Sequence, residues 1–250
     1  MTERTLDKEF FLDAVRREGE LFLATARAAD LTAPVPPCPK WTVWDLVRHL
    51  GVVYNWQRTQ LVRGETTEPT HEEVTAPEGE AVYEWFAAEH AAMLDTLADL
   101  DPGLPAWNWS VQPETGAFWF RRMAHETAVH RWDAQSAAAL PTPVEPALAA
   151  DGVSEVLEVF LPSGRRQGPD DLDGVVRLVA TDTGDEWAVR VRGTTMSVLD
   201  TDTVFDPGPG AQAAAAGTAS DVLLALWGRV PFDVLRVEGD AGLPEALRTF

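Results

Sequence analysis

Hydrophobic and polar positions follow the period of an α-helix in four segments of the first part of the chain. These segments are residues 6–29, 42–64, 78–100 and 117–140. The prolines of LTAPVPPCP end the first segment, and those of PTPVEP end the last. Thr42, followed three positions later by Asp45, predicts a capping box at the start of the second helix. Four antiparallel helices with short and longer connections predict an up-down bundle.

The pattern changes after about residue 145. A short helix near 146–160 leads to GVVRLVATDTGDEWAVRVRG, where two β-rich runs flank a polar turn and predict a hairpin. Then come a strand in TMSVLDTD, an Ala-rich flexible or helical lead-in (AQAAAAG), a helix capped near Ser220, an edge strand in DVLRVEGD and a terminal helix. This order predicts a small α+β domain with an antiparallel sheet, and a chain of two domains, 1–143 and 144–250.

Charge and composition narrow the class of partner. The net charge is -20, which disfavours nucleic acid and anionic membrane surfaces because both bind basic patches. A small-molecule partner is therefore expected. No run reaches about 18 apolar residues and the first residues do not resemble a signal peptide, so we expect a cytoplasmic protein. The single cysteine, Cys38, excludes an internal disulfide framework and lies in a proline-rich connector, where we interpret it as incidental.

The segment RMAHETAVHRWDAQ places several metal-ligand types on one predicted helix. Glu126 and His130 are four residues apart and share a face, whereas His125 and His130 do not. The zincin motif HExxH is absent because Val129 occupies the place of its second histidine. Two readings stay open for Glu126 and His130: a solvated pair on the helix surface, or two ligands of a metal ion.

A third ligand is available on the second predicted helix. His49 lies on or beside the apolar stripe of WDLVRHLGVVYNW, whereas His71 and His90 have acidic neighbours and are expected to be solvated. Bundle metal sites are built from side chains that project inward from facing helices. Together with Glu126 and His130, His49 completes the three-ligand set of a catalytic zinc site, which leaves one coordination position open.

Three parts of the sequence together resemble the mycothiol-dependent maleylpyruvate isomerase family. They are CPKWTVWDLVRHLGVVYNW, RMAHETAVHRWDAQ and the C-terminal set VVRLVATDTGDEWAVRVRG, GTASDVLLALWGR and VEGD. Members of that family join a DinB-like four-helix metal-binding domain to a smaller sterol-carrier-like α+β domain. The resemblance implies that His49, Glu126 and His130 bind the metal, that Arg229 in LWGR takes part in catalysis, and that mycothiol is the cosubstrate.

The expected chemistry uses Zn²⁺, or another divalent ion, and a small-molecule thiol. An ion in such a site lowers the pKa of a bound thiol, and addition of the thiolate to an electrophilic alkene leads to cis-trans isomerisation or to S-transfer. Arg122 and Arg229 could bind the carboxylate of the substrate, or Arg229 could only cap the end of its helix. Asp133 could either orient a ligand imidazole or form a salt bridge with Arg131 or with an arginine elsewhere in the chain.

Two other functions fit the same residues. A metal-dependent hydrolase would activate water in place of a thiol, and a non-catalytic protein would bind a metal or a lipid. Thiol dependence separates the isomerase from the hydrolase. Most of the ten tryptophans are expected to pack in the core, and Trp107 and Trp109 are the two that we expect at the mouth of a pocket.

Overall fold

The structure is a computed structural model that describes residues 6–70, 73–165, 171–199 and 211–249. The chain divides into two compact units. The first unit comprises Met1–Asn108 and Gln112–Thr142, and the second comprises Trp109–Val111 and Pro143–Phe250. The short segment around Trp109 thus belongs to the second unit although it lies between parts of the first.

Four helices form the first unit, and each lies within a predicted segment or close to it. They are α1 (Lys8–Ala28), α2 (Val43–Leu61), α3 (Ala81–Asp99) and α4 (Gly116–Ala137). At the start of α2, Thr42 and Asp45 form the predicted capping box, which satisfies two backbone N–H groups that otherwise lack a partner in the helix. None of the helices in the described part of the chain combines the length and apolar character that crossing a membrane requires.

Side-chain contacts give the direction of each helix. Contacts whose residue numbers rise together show that α1 and α4 run parallel: Phe11 with His125, and Glu18 with Arg131. Contacts whose numbers run in opposite directions show that α1 and α3 are antiparallel: Val15 with His90, and Ala26 with Tyr83. By the same reasoning α2 is parallel to α3, through the pairs Gly51 with Trp85 and Asn55 with Glu89.

The predicted four-helix bundle is confirmed, but the predicted up-down order of antiparallel neighbours is wrong. The helices run up, down, down and up. Because α2 and α3 are parallel, the connection between Leu61 and Ala81 has to return the chain to the end where α2 begins. Sequence periodicity gives the helices but not their directions, because a connection of this length allows either one.

Large side chains that are less than 2% exposed fill the interior of the bundle. They include Phe22, Leu46, Leu50, Tyr54, Phe86, Met93 and Leu97. Burial of each large apolar side chain contributes about 1.5–3 kcal/mol to folding. The Tyr54 hydroxyl lies 2.6 Å from the Thr127 Oγ1 atom, so this core also links α2 to α4 at the residue next to Glu126.

The described residues of the second unit form a five-stranded sheet and three α-helices. In chain order these are α5 (Pro146–Glu155), β1 (Asp173–Ala180), β2 (Glu186–Arg192), β3 (Thr195–Leu199), β4 (Ala211–Gly217), α6 (Ala219–Leu226), β5 (Arg236–Gly239) and α7 (Gly242–Glu245). A π-helical turn, Val156–Phe160, continues α5, and a 3₁₀ turn, Phe232–Val234, precedes β5. The strand order is β3-β2-β1-β4-β5.

The predicted α+β domain and its β1–β2 hairpin are confirmed, and the sheet differs from the prediction at β4. The segment AQAAAAG, expected as a flexible or helical lead-in, is β4 and pairs parallel to β1, so the sheet is mixed rather than antiparallel. Small alanine side chains let α6 and α7 pack against this strand. Thr218 rather than Ser220 caps α6. The end of the TMSVLDTD segment lies outside the described residues.

Candidate metal centre

Two histidines and one glutamate meet between α2 and α4. His49 comes from α2, and Glu126 and His130 come from α4. One possible ligand atom of each residue lies within 4.8 Å of those of the other two. The Glu126 Oε1 atom is 3.3 Å from His49 Nε2 and 3.3 Å from His130 Nε2. The three residues that the sequence singled out as ligands therefore converge on one point.

Local sequence explains this convergence. Glu126 and His130 are one helical turn apart, so both project from the same face of α4. The capping box of Thr42 and Asp45 fixes the first turn of α2, and the contact of Tyr54 with α4 holds its later turns. His49 lies between these two attachments, which restricts the position of its ring relative to α4.

The site is open on the side of α2. The side chain of His49 is 33% exposed, that of Glu126 19%, and that of His130 only 8%. A small molecule can therefore reach the cluster from the side of His49, whereas His130 is enclosed by protein.

Asp133 orients the buried ring of His130. Its Oδ2 atom lies 2.9 Å from His130 Nδ1, and the side chain of Asp133 is fully buried. A carboxylate in this place accepts the Nδ1–H and leaves Nε2 directed at Glu126. Arg131, the other partner considered for Asp133, extends toward α1 and forms a 2.6 Å ion pair with Glu18.

Arg122 holds the second oxygen of Glu126. Its NH2 group lies 3.0 Å from Glu126 Oε2, one helical turn away, and its side chain is only 4% exposed. The two carboxylate oxygens of Glu126 thus have separate partners: the two imidazoles at Oε1 and the guanidinium at Oε2. This contact leaves Arg122 beside the cluster rather than on an open surface.

These contacts shift the pKa values of two members of the cluster. Burial alone raises the pKa of Glu126, but hydrogen bonds from His130 and His49 and the positive charges of His130 and Arg122 lower it well below its ordinary value. Burial lowers the pKa of His130, yet hydrogen bonds to Asp133 and Glu126 and their negative charges raise it to about 9. In the absence of a metal ion, Glu126 is an anion and His130 a cation near neutral pH.

Sequence reasoning missed two residues that lie against the cluster. The indole of Trp41 stacks obliquely on His49, with ring centroids 4.6 Å apart, and lies 6.0 Å from the ring of His130. The Sγ atom of Cys38 lies 3.6 Å from Asp133 Oδ2, so Cys38 is part of the surroundings of the site. Both precede the capping Thr42 in CPKWT, a connector whose prolines gave no signal for such a contact.

The remaining histidines have other surroundings. His90 was expected to be solvated, but it is buried and its Nε2 atom lies 3.0 Å from the carbonyl oxygen of Val15. The prediction failed because Gly19 on α1 leaves room for the ring: a Cβ atom there would lie 2.2 Å from it. His125 is fully buried and meets the ring of Phe11. His71 lies outside the described residues.

Arg229 lies in the second unit, just after α6. Its guanidinium donates a hydrogen bond to the carbonyl oxygen of Trp227 at 3.0 Å and lies 5.8 Å from the centroid of that ring. Trp109, also in the second unit, packs edge-on against Phe160. Trp107 lies in the first unit, where its carbonyl oxygen accepts a hydrogen bond from the indole of Trp119.

The donor set of the cluster suits a divalent metal ion. Two imidazoles and one carboxylate bind zinc readily, and they also accept other divalent ions of the first transition row. Three protein ligands leave a coordination position for a molecule from solution. The open side at His49 and the oriented Nε2 of His130 both agree with a site of this kind.

Two family models match the chain. Residues 12–135 match the mycothiol maleylpyruvate isomerase N-terminal domain, and residues 147–246 match the C-terminal domain of the same family. A comparison with curated protein sequences finds no match.

Solved structures with the same fold include two of one enzyme. A histidine-to-alanine mutant of the mycothiol-dependent maleylpyruvate isomerase aligns over 93% of each chain, with a TM-score of 0.64 and 12% sequence identity. Another structure of the mycothiol-dependent maleylpyruvate isomerase aligns over 93% of each chain, with a TM-score of 0.57 and 14% identity. The two family models and this shared fold confirm the resemblance found in the sequence. The chain belongs to the mycothiol maleylpyruvate isomerase family of enzymes.

Proposed function

We propose that this chain is a thiol-dependent isomerase that works with a divalent metal ion, zinc, held by His49, Glu126 and His130. The observation that carries the proposal is the convergence of these three side chains on one point in a chain of this family. Two imidazoles and a carboxylate suit zinc, and the open side at His49 gives access to a small molecule.

The chain's own residues prepare the site. Asp133 accepts the Nδ1–H of His130, so that Nε2 is the ligand atom, and Arg122 binds Glu126 Oε2, so that Oε1 is the ligand atom. A divalent ion bound there supplies Lewis-acid chemistry that lowers the pKa of a thiol. The indole of Trp41 covers one side of the His49 ring and keeps water from that side.

The thiol comes from a small molecule, and we propose mycothiol from the name of the family. Cys38, the single cysteine of the chain, contacts Asp133 and is not a member of the ligand cluster found among the described residues. In the isomerisation, the thiolate sulfur adds to an alkene carbon of the substrate, the resulting single bond rotates, and expulsion of the thiolate restores a trans alkene. If the carbanion formed by addition is instead protonated by water and the thiolate is not expelled, the product is the S-conjugate, which is the S-transfer reaction that the same groups support.

We propose a small electrophile that bears a carboxylate as the substrate, with Arg229 as its binding partner. The support for Arg229 is its match to the LWGR segment of the family. Its guanidinium lies over the ring of Trp227 in the second unit and donates a hydrogen bond to the carbonyl oxygen of that residue. Arg122 is engaged by Glu126, which favours a role in positioning that ligand over direct contact with the substrate. The cytoplasmic location expected from the sequence stays a prediction.

Metal analysis of purified variants tests the site. We expect about one zinc ion per chain in the wild type and almost none in His49→Ala, Glu126→Gln and His130→Ala, because each change removes one of three ligands. His90→Gln is the matched control, since it changes a buried histidine of the same bundle and retains a hydrogen-bond donor for Val15.

Turnover tests the reaction. With maleylpyruvate as the first substrate, the metal-loaded wild type is expected to isomerise only when mycothiol is present, and the three ligand variants are expected to be inactive. Turnover in thiol-free buffer contradicts the thiol-dependent mechanism and favours hydrolysis. A wild type that holds no metal after reconstitution contradicts the metal site itself.

A further inference from the structure

The face of α2 that carries His49 continues along the helix as a half-exposed stripe. Positions three, four and seven residues apart lie on the same helical face. None of the members of this stripe is buried: His49, Val52, Val53, Trp56, Thr59 and Gln60. Trp56 lies two helical turns beyond His49, which is about 10 Å along the helix axis.

The far end of this stripe opens into a cavity of about 530 Å³. One wall is α2, with Asn55, Trp56, Thr59 and Gln60, and the other wall includes Glu68 and Glu73 from the connection that follows α2. Ligand pockets for small organic molecules have volumes of about 300–1,000 Å³. The cavity is therefore large enough for the main part of a small polar molecule.

The side chains that line the cavity favour a ligand rich in hydroxyl or amide groups. Thr59 Oγ1 donates a hydrogen bond to the carbonyl oxygen of Trp56 at 2.7 Å and accepts one from Gln60 Nε2 at 3.2 Å, and Gln60 Oε1 accepts one from Arg63 at 2.9 Å. Beyond these bonds, Gln60 Nε2 has a second hydrogen to donate and each of the two oxygens has a second lone pair to accept with. Asn55 donates its amide N–H to Glu89 at 3.0 Å, which holds the amide in place with its carbonyl oxygen as an acceptor. The indole of Trp56 offers an apolar surface. The charged groups of the lining are the carboxylates of Glu68 and Glu73 and the guanidinium of Arg63, which is ion-paired with Glu65 at 2.6 Å, so the lining favours a ligand without net charge.

We propose that this cavity binds the hydroxyl- and amide-bearing part of the thiol cosubstrate while its sulfur lies at the cluster of His49, Glu126 and His130. The inference rests on the proposed function. One helix face carries both places, and no residue of the stripe between them is buried. A thiol with a polar part about 10 Å from its sulfur spans the two, whereas a thiol without one occupies only the cluster.

Two thiols of different size test the inference by direct binding to the metal-loaded chain. The probes are mycothiol and 2-mercaptoethanol, titrated calorimetrically into the wild type and into the double variant Thr59→Ala/Gln60→Ala, with metal content measured in each preparation. Loss of two hydrogen-bonding side chains is expected to weaken mycothiol binding about tenfold. The affinity for 2-mercaptoethanol and the metal content are expected to stay unchanged.

Val62→Ala is the matched control. Val62 follows the same helix, its side chain is 71% exposed, and it projects away from the stripe. Equal mycothiol affinity in the wild type and in the double variant overturns the inference, as does equal weakening of both thiols. If neither thiol binds the metal-loaded wild type, the proposed function fails first. The inference is supported if both thiols bind the wild type and the double variant loses affinity for mycothiol alone. Val62→Ala should then bind both thiols as tightly as the wild type does.

Discussion

Metal binding is expected to release a proton from His130. In the metal-free site the contacts of His130 with Asp133 and Glu126 outweigh burial and raise its pKa to about 9. A metal ion binds only the neutral imidazole. At pH 7.5 the ion therefore displaces about one proton from this ring. A histidine with the ordinary pKa would release only about 0.1 proton on average, because it is already mostly neutral.

The sign of the pH dependence follows from the direction of this shift. Below the raised pKa, the proton competes with the metal, so affinity rises with pH until it levels above about pH 9. Between pH 7 and pH 8.5 this competition alone raises the affinity about 25-fold. A histidine with its ordinary pKa gives a change of only about 1.3-fold over the same range, because it is already neutral.

Calorimetric titration with zinc, in buffers of different ionisation enthalpy, counts the protons released. Asp133→Asn is the comparison, because loss of the carboxylate lowers the pKa of His130 and hence the number of protons displaced at pH 7.5. Protons released by water on the ion are common to both proteins and cancel in the difference. Equal proton release by the two proteins, or a wild-type affinity that is flat from pH 7 to 8.5, refutes the reasoning.

Three further predictions concern residues that support the site. Asp133→Asn is expected to weaken zinc binding about 10- to 100-fold above about pH 9, where no proton on His130 competes with the metal in either protein, as measured by competition with a chelator, with circular dichroism to check that the fold is intact. Glu18→Gln removes the 2.6 Å ion pair of Glu18 with the buried guanidinium of Arg131 and is expected to lower the free energy of unfolding in urea by about 3–5 kcal/mol. Gly19→Ala forces a Cβ atom into the ring of His90 and is expected to cost about 1–3 kcal/mol, visible as a lower melting temperature; unchanged melting contradicts that packing.

Local periodicity explains how much of the candidate site the sequence could predict. The one-turn spacing of Glu126 and His130 and the position of His49 beside an apolar stripe are properties of single helices, and they were enough to select the three residues that converge. Trp41 and Cys38 were missed because they lie in a connector. The position of a connector depends on tertiary contacts, such as the 2.9 Å hydrogen bond from Val35 to the carbonyl oxygen of Trp41.

Features that depend on a distant part of the chain were the ones that sequence reasoning could not predict. The burial of His90 depends on the absence of a side chain at Gly19, on another helix. The direction of α3 depends on the path of a connection, and β4 is a strand because its alanines lie between β1 and β5. Alanine has a low intrinsic preference for strands, so tertiary packing decides this element.

The raised pKa of His130 and the ion pair of Arg122 together explain how the cluster can form without a metal ion. Glu126 Oε1 lies 3.3 Å from two imidazole nitrogens, and a lone pair on His130 Nε2 would repel the lone pairs of this carboxylate oxygen. A proton on His130 turns one of these contacts into a charge-assisted hydrogen bond, while Arg122 balances the charge at Oε2. The proton thus supplies positive charge at the position where we propose that the metal ion binds. Exchange of one for the other requires little movement of the side chains, so we expect the site to be preorganised and its metal affinity to be set mainly by pH.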